Sequence, residues 1–192
     1  MPPSRPQKPS LSLLSAGRTF RLLLLPLLLA LLSSACTAPS PATRTVTLSV
    51  PFLPQPPDQC GPAALAMLET FYGRTPDLPA LTDYLLIPAL AGTTPDLLAE
   101  AARRDGFSVQ NAPLTPRQIH AVLAAGDPLI LLLGPNPKTP DDPRGHFLVA
   151  TGHNPRTHAL RAHTGLRNNV WLPSAEWLPR YRTALRLSPV PW

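Results

Sequence analysis

Segments that read as helices come early in this chain and segments that read as strands come late, an order that points to an α+β layout. The helices are marked by their starts and stops. Pro62, Pro95 and Pro116 suit a first helical turn, where a missing N–H costs nothing, and Thr94 and Thr115 are capping residues before two of them. Gly73, Gly106 and Gly126 are stop signals. Together these predict helices over about 60–72, 78–86, 95–105 and 117–125. Pro128 to Gly134 (PLILLLG) is a continuous apolar run and reads as a buried strand. His146–Gly152, Ala159–Thr164, Asn169–Leu172 and Thr183–Leu187 follow as a meander of strands, with Thr45–Val50 and Phe107–Gln110 as earlier ones. No internal repeat, heptad pattern or phosphate-cradling glycine loop interrupts this order.

Residues 1–35 read as an export signal rather than as fold. Arg5, Lys8, Arg18 and Arg21 form a basic start, and Leu22–Leu32 is an apolar run of eleven residues. A bilayer span needs about 20 residues, so eleven suits a signal core instead. Ser33-Ser34-Ala35-Cys36 then resembles a bacterial lipoprotein signal, with Cys36 as the lipidated first residue of the mature protein. The plain alternative is ordinary signal cleavage near Ala35, leaving Cys36 a free thiol. The expected organisation is a signal over 1–35, a lipid-attached Pro/Ser/Ala tether over 36–45 and a single domain over 46–192. The expected location is extracytoplasmic, on a bacterial membrane.

Past residue 35 the chain carries 13 basic and 11 acidic residues, so the high isoelectric point comes largely from the leader. No basic block with interleaved aromatics remains, and nucleic-acid binding has no support.

Cys60 is then the one cysteine of the body, at the head of a helix in QCGPAALAMLETFYG. If Cys36 carries lipid, Cys60 has no intramolecular partner in an oxidising compartment, which marks it as a candidate working thiol. Its position beside unpaired helix N–H groups favours thiolate. An inert core cysteine is the bland alternative. A nucleophilic thiol needs a base. Among five histidines, His146 opens a strand beside Gly145 after a long loop, where it is held yet open to a cleft. His120 reads as a helix surface residue, and His153 and His158 as solvated residues flanking the turn Asn154–Thr157. The five-residue spacing of His153, His158 and His163 matches no standard metal site.

Val50-Pro51-Phe52, Gln55, QCGPAALAML and, 85 residues beyond the cysteine, GHFLVATG together resemble the bacteriocin-processing (double-glycine-leader) type of papain-like cysteine peptidase. The closer likeness is to its stand-alone, lipoprotein-type relatives, whose LRSG-like strand reads Leu160-Arg161-Ala162-His163-Thr164-Gly165 here. The resemblance implies a papain-like fold with N-terminal helices packed on a C-terminal antiparallel sheet. It implies Cys60 as nucleophile, His146 as general base and acid, and Gln55 as the side-chain donor to the oxyanion; Gln59, which adjoins the nucleophile, is a poorer candidate for that donor and reads plainly as a helix-capping residue. The position where these peptidases carry an orienting Asp is Ala162. A hairpin turning at Asn154–Thr157 would pair Leu148 with His163 and set His163 diagonally beside His146 as a stand-in. A one-residue slip would bring Thr164 opposite instead, and Asn168 and Asn169 are further polar candidates.

The implied chemistry is acyl transfer on a peptide or protein substrate, with no cofactor. Two other functions fit the same residues. One is an inactive peptide-binding domain with a degraded site. The other is a transglutaminase-like acyltransferase that uses an amine acceptor.

Overall fold

The computed structural model describes residues 44–139 and 143–190. All of them belong to one compact unit, Pro39–Trp192. The signal reading and Cys36 lie outside the described residues, as does most of the tether. The elements run β1 (Val46–Thr47), α1 (Cys60–Phe71), α2 (Leu78–Leu85), α3 (Pro95–Arg104), β2 (Phe107–Ala112), α4 (Pro116–Ala124), β3 (Leu129–Leu133), β4 (His146–His153), β5 (Leu160–His163), β6 (Val170–Leu172), α5 (Ser174–Trp177) and β7 (Tyr181–Pro189).

The capping signals act as expected. Thr94 Oγ1 accepts the Leu97 N–H, and Thr115 forms a full capping box with Gln118. Asp77, which the sequence reading did not single out, caps α2 by accepting from Ala80. The strands form one antiparallel sheet in the order β2-β7-β3-β4-β5-β6, with β1 added along β4. β7 is longer than expected and lies in the middle of the order, between β2 and β3, bonded to both. It is buried on both faces at its centre, Leu185 and Leu187 joining one core and Ala184 the other.

One face of the sheet carries α1. Gly61 to Glu69 are all buried there, and Leu65, Leu68, Leu98, Ile130, Phe147 and Val149 belong to the same core. The other face packs Ile119 and Leu123 of α4 and Trp177 of α5 on Leu129, Leu131, Leu148 and Ala162. The small residues Ala63, Ala64 and Ala66 explain how a helix this apolar sits so closely. At these three positions short side chains let the backbone approach the sheet; Glu69, near the other end of the helix, is buried as well, and burial raises its pKa to about 8.

Two histidines depart from expectation. His120 and His153 are 5% and 1% exposed, not solvated. Their rings pack 5.5 Å apart, with His158 5.8 Å from His153 on the other side and Trp177 edge-on to it. The turn directs His153 inward because the β4–β5 pairing shifts register between Ala150 and Gly152. Neither ring nitrogen of His153 has a partner, and burial together with His120 and His158 lowers its pKa to about 4. A depressed histidine pKa favours the neutral ring in the folded state. Its contribution to stability is therefore complete above the ordinary value of 6.5 and lost as pH falls from there toward 4. The loss expected between those limits is on the order of 3 kcal/mol. Urea midpoints for wild type and His153→Phe at pH 7.5 and 4.5 check this: the variant should show the shallower pH dependence.

Candidate active site

α1 begins at Cys60, and β4 begins at His146. The packing of α1 on β4 brings these two chain starts to the same rim. Gln55, Cys60, His146 and Thr164 line one cleft of about 970 Å³. Cys60 is a free, half-buried thiol. Backbone N–H groups of Phe147, Gly61 and Cys60 itself face its sulfur. The first of these belongs to the residue after His146, so the strand that carries the imidazole also touches the thiol. Gly61 lets Thr93 pack against the start of α1, since a Cβ there would overlap Thr93 Cγ2.

Burial dominates the electrostatics. Desolvation pushes the Cys60 thiol above its ordinary 9.0, although the three N–H groups and the Arg144 charge pull the other way. This reverses the expectation from helix position alone, since a half-buried sulfur loses more hydration than the helix start returns. His146 is lowered from 6.5, chiefly by burial, with Arg180 adding to the effect and the Thr164 carbonyl opposing it. Both shifts favour the uncharged forms, a thiol and a neutral imidazole lining one cleft.

His146 Nε2 lies 3.0 Å from the Thr164 carbonyl oxygen. A carbonyl can only accept, so Nε2 carries the proton and Nδ1 holds the lone pair. The group oriented on His146 is thus main chain. Ala162, at the position of the expected Asp, is fully buried in the core.

His163 does not take the orienting place expected of it. β4 and β5 pair Val149 with His163, one residue off the register that faced it with Leu148. That single step moves the ring to the opposite face from His146. There it is fully buried, with Nε2 donating to the Val50 carbonyl at 3.0 Å and Nδ1 accepting the Asn169 N–H at 3.1 Å. Phe52 packs on it at 5.3 Å. His163 therefore pins the Val50–Phe52 segment that leads to Gln55. The slip that would set Thr164 beside His146 runs the other way in sequence, yet Thr164 still reaches the ring through its backbone, because the chain leaves the ladder after β5. The Asn169 side chain meets Thr151 Oγ1 instead.

Gln55 and Gln59 separate cleanly. Gln59 makes no side-chain cap to α1; its Oε1 accepts from Thr82 Oγ1 at 3.2 Å. Gln55 lies in the cleft, its backbone N–H donating to the Gly165 carbonyl at 3.1 Å. Gly165 sits at φ +82, and a Cβ on it would overlap the Gln55 side chain. This glycine, like the Thr164 carbonyl, escaped the residue-by-residue reading of the sequence. The LRAHTG segment contained both, but a backbone acceptor leaves no letter to recognise. The loop after β3 forms the far wall, where Asn136 and Thr139 line the cleft and Arg180 Nε donates to the Gly134 and Pro135 carbonyls.

An early helix packed on a late antiparallel sheet, with Cys60 and His146 at the starts of adjoining elements in one cleft, gives the chain the papain-like fold. No family model matches the sequence, and no curated protein matches it. Solved structures do. A double-glycine-motif protease from an AMS/PCAT transporter, solved with its leader peptide, superposes with a TM-score of 0.60 at 18% identity over 76% of this chain and 95% of that one. The peptidase domain of Streptococcus ComA, a bifunctional ABC transporter, gives 0.59 at 21% identity over 72% and 97%. Xylellain, a cysteine protease from Xylella fastidiosa, gives 0.50 at 12% identity over 80% and 90%.

Proposed function

We propose that this chain is a thiol peptidase, exported and held at a bacterial membrane by lipid on Cys36, that hydrolyses peptide bonds through Cys60 and His146. The observation that carries the reading is the convergence in one cleft of a free thiol, a histidine of defined tautomer and the Gln55 side chain. The leader peptide bound to one neighbour supports a peptide as the substrate class.

In this mechanism His146 Nδ1 takes the Cys60 proton as the sulfur attacks the carbonyl carbon. The carbonyl π electrons move onto oxygen, where Gln55 and the Cys60 N–H donate to the oxyanion. The tetrahedral adduct collapses, the C–N bond breaks, and His146 returns the proton to the leaving amine. Water, deprotonated by the same nitrogen, then attacks the thioester and releases the acid and the thiol. Because burial favours the uncharged pair, His146 works as a base on a neutral thiol instead of resting as an imidazolium.

Iodoacetamide labelling of Cys60 tests the pairing. Wild type should show an acid limb below pH 6.5, where His146 protonates, and His146→Ala should label only along an alkaline limb above pH 9. Identical profiles for the two proteins would sink the catalytic reading and leave a peptide-binding domain. Product analysis on a peptide library, with and without an added primary amine, separates hydrolysis from acyl transfer.

A further inference from the structure

Two residues before Cys60 stands Asp58, and two residues before His146 stands Arg144. Arg144 Nη1 and Asp58 Oδ1 form an ion pair across 86 positions of sequence. Both residues line the same cleft. Asp58 lies at φ 62, a left-handed conformation that Asp adopts more readily than most residues. Arg144 precedes the first paired residue of β4, since the ladder with β3 begins at His146 opposite Leu133. The segment leading into His146 is therefore outside the sheet, and the segment leading into Cys60 is outside α1. Each of the two residues stands at the first position of its element.

Resting on the thiol peptidase reading, we propose that Asp58 and Arg144 are a positioning pair that ties the two approach segments together and so fixes the separation of sulfur and imidazole. Half-exposed ion pairs contribute little to global stability, which leaves local geometry as what this one sets. An error near 1 Å between reacting groups can cost about 100-fold in rate. Arg144 also bears on the thiol directly, its charge favouring the thiolate.

The two roles of Arg144 predict opposite results for Asp58→Asn. Charge alone predicts faster labelling of Cys60, because the opposing charge of Asp58 is then removed from beside the cation. The clamp predicts slower labelling, by about tenfold at pH 7, with kcat for peptide cleavage falling in step and KM and Tm holding. Arg144→Gln should lose about as much, the Asp58→Asn/Arg144→Gln double variant no more than either single one, and the charge-swapped D58R/R144D should recover part of the loss. High salt should slow wild type and spare the variants. Faster or unchanged labelling in Asp58→Asn, or losses that add in the double variant, would overturn the clamp while wild type still outpaces His146→Ala. If wild type and His146→Ala label alike, the catalytic reading falls and the clamp falls with it.

Discussion

Cys60→Ser is expected to abolish measurable peptide cleavage, and His146→Ala to lower kcat by about 10²–10⁴ with little change in KM. The two losses should not add, because a thiol and its base act as one unit and removing either leaves the other idle. The imidazole loss is expected to be steep because burial holds the Cys60 thiol above its ordinary pKa. Without a base, almost none of it ionises at neutral pH. Helix position and neighbouring N–H groups do not rescue it, since desolvation is the largest influence on that group. Steady-state kinetics on a cleavable peptide, with thermal unfolding as a control for folding, gives the result. A His146→Ala enzyme within threefold of wild type would sink the assignment.

Gln55→Ala should lower kcat by about 10²–10³, the range for removing one oxyanion donor, again with KM nearly constant. Gly165→Ala provides an independent route to the same loss. Its φ of +82 is strained for alanine, and the new methyl would occupy the space of the Gln55 side chain. A displaced Gln55 and a deleted one should then give similar kcat values. Combining the two substitutions should cost little beyond the larger single effect. If Gly165→Ala loses activity while Gln55→Ala keeps it, Gln55 is not the donor and the loss belongs to the turn. Gln59→Ala serves as the contrast, because its side chain is spent on Thr82.

Most of the fold was legible because its boundaries are written in local chemistry. Thr-Pro starts and glycine stops marked α3 and α4, the PLILLLG run marked β3, and the histidine strand began where its loop ended. That Cys60, His146 and Gln55 would line one cleft could be expected because motif spacing does not depend on strand register. What failed depended on register and burial. A single-residue offset between β4 and β5 decided whether His163 met His146, and nothing in the Asn154–Thr157 turn distinguishes the two pairings. His153 was misread for the same cause, since the irregularity at Ala150–Gly152 turns it inward. The thiol was misread because sequence shows a helix start but not how much water the packed sheet removes.

The hydrogen bond from His146 to Thr164 has one more consequence. A carboxylate in that place could be erased by a single codon change, whereas a peptide carbonyl survives every substitution at its own position except those that bend the chain. Inspecting such a protein for an acidic third member is therefore uninformative about competence. The vulnerable letters lie in the turn that aims the carbonyl, with Gly165 foremost among them.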